Sequence, residues 1–324
     1  MTDYLVGYTG FVGSNLAAAH AFTKCFNSKN ISDSFNGHPD ILYYAGIPAR
    51  KFYADSHPAE DLAVINNAIK NIKSISPKKI VLISTIDVLS NPIGATEDTS
   101  INETTLSPYG ANRIFLENWV KSSFPNTHLI IRLPALFGDN LKKNFIFDIL
   151  NPIPKLFDAK KFHSLAKDKP QIADYYTLDD SGYYYLNDSL TDTESTNLLH
   201  LLEDSNSTAL SFTDSRAKYQ FYNLKYLWRD LEIASRHNLN LLHLATEPIS
   251  AGDLYSTLFG HTFTNIITDT PASYDFRSLH ANLYHGKSGY LYSTPSIIQD
   301  IASFLESASH GQLKTIINHD KEPK

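Results

Sequence analysis

The stretch Gly7-Tyr8-Thr9-Gly10-Phe11-Val12-Gly13 lies between a short apolar run, Tyr4 to Val6, and a segment of helical periodicity, Phe11 to Ala19. This order predicts a strand, a tight turn and a helix. Glycines in the turn allow the backbone to approach a bound group closely, and the N–H groups at the helix start attract an anion. A merely structural turn is the alternative. The residues predicted to surround the pyrophosphate of a dinucleotide are Gly7, Gly10, Phe11, Val12 and Gly13.

Strands and helices alternate along the residues that follow. A short polar stretch runs from Lys24 to Asn36, and a buried strand is predicted from Asp40 to Ala45. The alternation predicts a parallel sheet covered on both faces, which is an α/β fold of the Rossmann type with a doubly wound sheet. Further predicted elements are helix Glu60 to Ile75, strand Lys79 to Ser84, helix Pro108 to Val120 and strand His128 to Leu133.

The regular pattern weakens beyond Gly138, where the chain becomes rich in Asp, Ser, Thr, Asn and Tyr. We therefore predict a dinucleotide-binding domain over residues 1–140, to which a later segment, about 215–250, returns. Residues 141–324 are predicted to form mainly a smaller substrate-binding lobe. Elements predicted in this half are helix Leu224 to Ser235, strand Asn240 to Ala245, helix Ala251 to Phe259 and helix Ser296 to Ser307.

The composition is that of a globular protein, with 42% hydrophobic and 19% charged residues among 324, enough to bury a large core. A formal charge of -6 without a long basic run argues against nucleic acid as a partner. Cys25 is the single cysteine, which excludes an intrachain disulfide and a cysteine metal cage. Neither a signal peptide nor a run of ~20 apolar residues is evident, so we expect a cytoplasmic protein and no membrane partner. The histidines form no ligand motif, so no metal is expected.

The segment at the end of the second strand meets the adenosine ribose in dinucleotide-binding folds. Here the candidate is Cys25-Phe26-Asn27-Ser28-Lys29-Asn30, which lacks the Asp or Glu that takes the ribose hydroxyls of NAD. Asn27, Ser28 and Lys29 offer amide, hydroxyl and ammonium donors, which suit a 2′-phosphate. The segment therefore favours NADP, with NAD possible, and a solvated turn is the alternative.

A hydroxyl, a phenol and a guanidinium form a candidate catalytic group. Ser84 and Thr85 end a predicted strand at the edge where ligands bind in doubly wound sheets. Downstream, Tyr109 and Arg113 lie four residues apart on one face of a predicted helix. A tyrosine that exchanges a proton with an alcohol or ketone needs a cation nearby to favour its ionised form, and Arg113 can supply one. Thr85 can hydrogen-bond the same substrate oxygen.

Four motifs occur in order along residues 1–140. They are Gly7-x-x-Gly10-Phe11-Val12-Gly13-Ser14-Asn15-Leu16, Ile83-Ser84-Thr85, Pro108-Tyr109-Gly110 and Arg132-Leu133-Pro134-Ala135-Leu136-Phe137-Gly138. Together they resemble the NAD-dependent epimerase/dehydratase family of extended short-chain dehydrogenases. Four motifs in order are far more specific than any one of them.

The resemblance implies that Tyr109 is the catalytic acid and base, with Thr85 as its hydroxyl partner. The family usually has Lys where this chain has Arg113, so the chain looks like an atypical member with Tyr-x-x-x-Arg in place of Tyr-x-x-x-Lys. An arginine keeps the charge and can bond the nicotinamide ribose, but it cannot readily lose a proton. Further residues implied to line the cofactor are Ala45, Gly46, Ser84 and Pro134.

The resemblance further implies an NAD(P)-dependent oxidoreductase or epimerase that acts by hydride transfer on a nucleotide-linked sugar or similar polyol. Asp87 follows Thr85 at the spacing of the acid in the family's sugar 4,6-dehydratases, so dehydration is an alternative, as is a loop-capping role for this carboxylate. A third possibility is a non-catalytic NADP-binding sensor or scaffold, in which the departure at Arg113 marks lost chemistry.

Two further expectations concern partners. Arg277 could pair with a substrate diphosphate, or else form a surface ion pair with an acid such as Asp275. The Tyr109 helix is apolar on a broad front, at Ile114, Phe115, Leu116 and Trp119. In related folds this helix packs against its twin, so a homodimer is expected, with packing inside one chain as the alternative.

Overall fold

A computed structural model describes residues 1–180 and 182–309 of the chain. These residues divide into two compact units. The first comprises Met1–Leu141, Lys218–Ile249 and Ser273–Ile301, and the second comprises Lys142–Ala217, Ser250–Ala272 and the described residues from Ala302 onward.

In chain order the strands are β1 (Asp3–Val6), β2 (Lys24–Phe26), β3 (Ile41–Tyr44), β4 (Lys79–Thr85), β5 (His128–Leu133), β6 (Ala135–Phe137), β7 (Leu156–Asp158), β8 (Tyr176–Leu178), β9 (Tyr183–Leu186), β10 (Lys218–Tyr219), β11 (Phe221–Asn223), β12 (Leu241–His243) and β13 (Ile249–Ser250). The helices are α1 (Phe11–Ala19), α2 (Lys51–Ser56), α3 (Pro58–Ile75), α4 (Pro108–Ser123), α5 (Phe145–Leu150), α6 (Ala159–Asp168), α7 (Asp192–Asp204), α8 (Leu227–Arg236), α9 (Ala251–Phe259) and α10 (Thr294–Ser309).

The first unit is built on a parallel sheet of 6 strands in the order β12-β5-β4-β3-β1-β2. This confirms the predicted α/β fold with a Rossmann-type sheet. From β1 the chain goes outward to the edge strand β2 and then returns past β1 to β3. The direction of winding therefore reverses between β1 and β3, and a crevice opens there at the carboxyl ends of the strands.

The polar stretch from Lys24 to Asn36 begins with a strand. Lys24–Phe26 is strand β2, which pairs with β1 in the register Leu5 to Cys25. A strand of this length shows no measurable periodicity, and it owes its conformation to hydrogen bonds with β1. Because β2 ends at Phe26, Asn27 is the first residue beyond the carboxyl end of the second strand.

Helices cover both faces of the sheet. Along β5, Leu129 and Ile131 belong to one apolar cluster, which also contains Leu16 of α1 and Leu231 of α8. Ile130 points to the other face and belongs to a second cluster, with the buried residues of α3. This alternation follows from the period of two along a strand. The predicted helices α1 and α9 and the strand β5 have the predicted bounds, and α3 begins slightly earlier than predicted, at Pro58.

The second unit has a small antiparallel sheet in the order β7-β9-β8. Its core is aromatic, with Phe157, Phe162 and Tyr176 buried together with leucines of α7. Tyr184 stacks on the ring of Phe162 at a centroid distance of 3.7 Å. This aromatic stretch therefore forms packing contacts within its own unit.

A buried polar network crosses the first unit from α4 to β12. The Arg132 guanidinium on β5 donates to Glu117 of α4, with Nη2 2.7 Å from Oε2. Its Nη1 donates to Nε2 of His243 at 3.1 Å, and Nδ1 of His243 donates to the Arg277 carbonyl at 3.0 Å. Glu117 also accepts from the Ser84 hydroxyl at 2.6 Å. The network thus links the end of β4 to two neighbouring strands, and its charged members are almost fully buried.

Burial lowers the pKa of His243 to about 4, and the nearby Arg132 acts in the same direction while Glu97 opposes it. The ring is therefore neutral at physiological pH. Neutrality lets Nε2 accept from Arg132 while Nδ1 donates to the carbonyl of Arg277.

We expect Arg132→Met to lower the free energy of unfolding by about 3–5 kcal/mol, because it leaves the buried Glu117 carboxylate without its partner. Urea denaturation followed by tryptophan fluorescence measures this loss. Lys121→Met is the matched control, because the surface ammonium of Lys121 lies 3.8 Å from the same carboxylate. This substitution should cost no more than about 1 kcal/mol. Equal losses in the two variants would contradict a stabilising role for the buried pair.

The depressed pKa of His243 predicts a pH dependence of stability. The unfolded chain takes up a proton near pH 6.5, whereas the folded chain does so only near pH 4. The contribution of neutral His243 is therefore complete above pH 6.5 and is lost as the pH falls towards 4. As the pH falls from 6.5 towards 4, the natural protein should lose unfolding free energy relative to His243→Gln. A constant difference would show that His243 does not titrate as described.

Candidate active site

The glycine turn between β1 and α1 is closely packed. Gly7 has a φ of +95°, and its N–H donates to the Phe26 carbonyl at 2.7 Å. A Cβ at Gly13 would lie 2.0 Å from the Gly7 carbonyl oxygen, so only glycine fits there. The first intrahelical hydrogen bond runs from Ser14 to Gly10, so the N–H groups of the preceding residues point out of the helix start. This cradle of N–H groups suits a pyrophosphate.

The other residues predicted to line a cofactor lie at the same edge of the sheet. Ala45 and Gly46 follow β3, and the Ala45 N–H donates to the carbonyl of Val6 at 2.9 Å. Ser84 and Thr85 end β4, and Pro134 follows β5. Because the strands are parallel, their carboxyl ends meet at one edge, next to the crevice between β1 and β3.

The segment predicted to meet the 2′-phosphate is a turn at the end of β2. The Lys29 N–H donates to Oδ1 of Asn27 at 2.9 Å, and the Asn27 N–H donates to Oδ1 of Asn30 at 2.7 Å. The side chains of Ser28 and Lys29 are exposed. The turn therefore presents a hydroxyl and an ammonium to solvent at the edge where the glycine turn lies.

Tyr109 is held at the start of α4. Ser107 caps the helix by accepting from the Gly110 N–H, and Asp55 of α2 accepts from the Tyr109 N–H at 2.9 Å. The phenol is almost fully buried, and the Thr85 side chain acts through hydrogen bonding to lower its pKa. The pairing of the two hydroxyls stays a prediction.

The groups around Tyr109 act on the pKa of its phenol in opposite directions. Burial raises the pKa of its phenol and is the largest influence. Arg113, the Thr85 hydrogen bond and Lys51 act to lower this pKa, while the Asp87 carboxylate acts to raise it. The proton affinity of Tyr109 therefore depends on which of these charges is paired.

Arg113 lies where the helical spacing predicts, with its Cζ 4.1 Å from the centre of the Tyr109 ring. Its guanidinium is also held from a second direction. Nη1 donates to the buried Asp61 of α3, and Nη2 donates to the Pro48 carbonyl at 2.8 Å. The charge beside the Tyr109 ring is therefore fixed in place and partly balanced by a carboxylate.

Lys51 is a member of this cluster that the sequence analysis missed. Its ammonium donates to Oδ1 of Asp87 at 2.7 Å, and the Tyr274 hydroxyl lies 3.5 Å from the same oxygen. The Asp87 N–H donates to Oγ1 of Thr85 at 3.2 Å. Lys51 begins a short helix with no motif around it, so only the folded chain shows that it lies beside Asp87 and within electrostatic range of Tyr109.

Arg277 pairs with Asp275, which was the alternative to a contact with a substrate diphosphate. Its Nη2 is 3.7 Å from a carboxylate oxygen of Asp275, and its Cζ lies 5.3 Å from the centre of the Tyr290 ring. The backbone carbonyl of Arg277 ends the buried network by accepting from His243. A role towards a substrate diphosphate stays a prediction.

The Tyr109 helix buries most of its apolar residues inside its own unit. Ile114 and Leu116 are buried in the clusters on the two faces of the sheet, whereas Phe115 is 46% exposed. Packing within one chain accounts for the former pair. The homodimer stays a prediction. Phe115 is the exposed apolar residue of α4 that would lie in its interface.

Residues 1–180 and 182–309 contain neither a metal cluster nor a membrane-spanning helix. No group of three or more His, Cys, Asp and Glu side chains in these ranges is arranged to hold a metal ion. In the same ranges, no helix is long and apolar enough to cross a membrane.

No family model and no curated protein matches the sequence. Among solved structures, a dTDP-4-dehydrorhamnose reductase from Clostridium acetobutylicum superimposes with a TM-score of 0.59 at 15% identity, over 95% of this chain and 99% of that one. RMD from Pseudomonas aeruginosa, complexed with NADPH, gives 0.58 at 16% identity over 95% and 99%. A UDP-glucuronic acid 4-epimerase variant from Bacillus cereus, in complex with NAD and a fluorinated UDP-sugar, gives 0.58 at 12% identity over 96% and 99%. These similarities show that the chain shares the fold of a dTDP-4-dehydrorhamnose reductase and a UDP-glucuronic acid 4-epimerase.

Proposed function

We propose that this chain is an NADP-dependent oxidoreductase or epimerase of the extended short-chain dehydrogenase type that acts on a nucleotide-linked sugar. The observation that carries the proposal is the buried Tyr109 phenol, which Arg113 faces and whose pKa Thr85 lowers, at the same sheet edge as the glycine turn. The neighbours in fold are named as acting on dTDP-linked and UDP-linked sugars, which supports this substrate class.

The side chains provide acid–base chemistry at a carbonyl or alcohol carbon. When bound, the nicotinamide supplies or accepts a hydride. In the reducing direction Tyr109 donates its proton to the substrate oxygen, and in the oxidising direction its phenolate accepts the proton. Thr85 donates a hydrogen bond to the same oxygen, and the Arg113 charge stabilises the phenolate. Return of the hydride to the opposite face of one substrate gives epimerisation, and its departure with the cofactor gives net reduction or oxidation.

The remaining predicted contacts lie at the carboxyl ends of the strands. The glycine turn would take the pyrophosphate on its N–H groups, while Ala45, Gly46, Ser84 and Pro134 would line the nicotinamide half. Arg113 would reach the nicotinamide ribose from its fixed position over Tyr109. Asn27, Ser28 and Lys29 would bind the 2′-phosphate, which distinguishes NADP from NAD.

Tyr109→Phe should lower turnover by about 10²-fold or more, because it removes the group that transfers the proton, while the affinity for NADPH persists. Turnover is followed by NADPH absorbance with dTDP-4-dehydrorhamnose and with UDP-linked hexoses, and affinity by fluorescence titration. Tyr226→Phe is the matched control, because it removes a phenol hydroxyl that is bonded to Asp300, at 3.1 Å, and is not part of the proposed catalytic group. Turnover should persist in this variant. Undiminished turnover of Tyr109→Phe would remove Tyr109 as the acid, and a natural protein that binds neither NADPH nor NADH would remove the proposed function.

Lys29→Ala should weaken NADPH binding by about tenfold, the scale of one charge-assisted hydrogen bond to a phosphate, and leave NADH binding unchanged. Lys24→Ala makes the same change of charge at the opposite end of β2, where the ammonium lies over the Tyr4 ring at 5.7 Å, and should change neither affinity. Equal weakening of both cofactors by Lys29→Ala would remove the argument for the 2′-phosphate.

A further inference from the structure

The ion pair between Lys51 and Asp87 lies beside the proposed acid and has no counterpart in the motifs of the sequence. Lys51 belongs to α2 and Asp87 follows β4, so the pair joins two elements that are far apart in the chain. Its atoms are 2.7 Å apart, and the two side chains are 47% and 20% exposed. A pair this accessible adds little to the stability of the fold, which directs attention to what it does to its neighbours.

Two phenols are among the titratable groups coupled to the pair. Tyr274 reaches the same oxygen of Asp87 that the ammonium contacts, at 3.5 Å. Tyr109 experiences both charges with opposite signs, since Asp87 raises and Lys51 lowers the pKa of its phenol. The charged and titratable groups that surround Tyr109 are Lys51 and Asp55 of α2, Asp61 of α3, Asp87 after β4, Arg113 of its own helix, and Tyr274.

Arg113 alone does not complete the electrostatics of this site. Its guanidinium is bonded to Asp61, so a carboxylate already balances part of its charge. A second carboxylate, Asp87, adds negative charge near the phenol and opposes the formation of a phenolate. A second cation close to Asp87 offsets this negative charge and favours the phenolate.

We propose that Lys51 is the charge-compensating positioning residue of this site, where its ammonium neutralises and holds Asp87 beside the Tyr109 phenol and so permits Tyr109 to ionise during proton transfer. The inference rests on the proposed function for its catalytic meaning. The electrostatic coupling of Lys51 and Asp87 to Tyr109 does not depend on the identity of the substrate. Lys51 moves no proton in this scheme, because its pairing with Asp87 favours the protonated ammonium.

The coupling is measured with 3-fluorotyrosine placed at position 109 by stop-codon suppression and titrated by fluorine NMR in the full chain. Lys51→Met should move the midpoint of this titration to higher pH, because Asp87 is left uncompensated. Asp87→Asn should move it to lower pH, because the ammonium then acts alone. The double variant should return towards the natural midpoint, and Lys51→Arg should retain it.

A matched pair of controls has the same geometry at the opposite edge of the sheet. Lys78 lies 2.7 Å from Asp40, just before β4 and β3. Lys78→Met and Asp40→Asn should leave the midpoint unchanged. Shifts in one direction for both Lys51→Met and Asp87→Asn would indicate a general change in burial and overturn the proposal, as would an unchanged midpoint in Lys51→Met.

The pH profile of turnover gives a second readout in protein that carries the natural tyrosine. Lys51→Met should move the rising limb of the profile for alcohol oxidation to higher pH with little change in NADPH affinity, and Lys51→Arg should restore it. A profile identical to that of the natural enzyme overturns the proposal. Failure to bind NADPH or NADH overturns the proposed function instead, and the fluorine titration still decides the role of Lys51.

Discussion

The parallel pairing of β1 with both β2 and β3 is the constraint on which the arrangement of the first unit depends. It requires the chain to go out to the sheet edge and to cross back over β1, and it leaves a crevice where the winding reverses. The glycine turn fills the space above β1 because Gly7 and Gly13 approach within a distance that no side chain allows. Every other candidate cofactor contact follows from this arrangement, because parallel strands bring their carboxyl ends to the same edge.

Helix α4 connects this edge to the interior. Its first turn carries Tyr109, and two turns later Glu117 enters the buried network with Arg132 and His243. The same carboxylate accepts from Ser84 at the end of β4. The stability of the buried charges and the position of the candidate acid are therefore properties of one helix, which is anchored by a rigid network below and capped by Ser107 above.

The candidate site combines two ion pairs that differ in accessibility. Arg113 and Asp61 are buried and fix a guanidinium over the Tyr109 ring, whereas Lys51 and Asp87 are more accessible and lie on other elements. Arg113, Lys51 and Asp87 all act on the pKa of the same phenol. Two cations thus act on Tyr109 from different parts of the chain, the Arg113 guanidinium from its own helix and the Lys51 ammonium from α2.

Features that depend on local order could be predicted from the sequence. The glycine turn, the helix bounds of α1, the strand β5 and the spacing of Tyr109 and Arg113 are all carried by residues that are neighbours in the chain, where period and turn chemistry are sufficient. The sequence also predicted correctly that a parallel sheet would be covered on both faces. The strand β2, the network through His243 and the pairing of Lys51 with Asp87 are visible only in the folded chain. These depend on contacts between segments far apart in sequence, for which no local periodicity exists, and the energetics of a buried or paired charge are set by its neighbours in space.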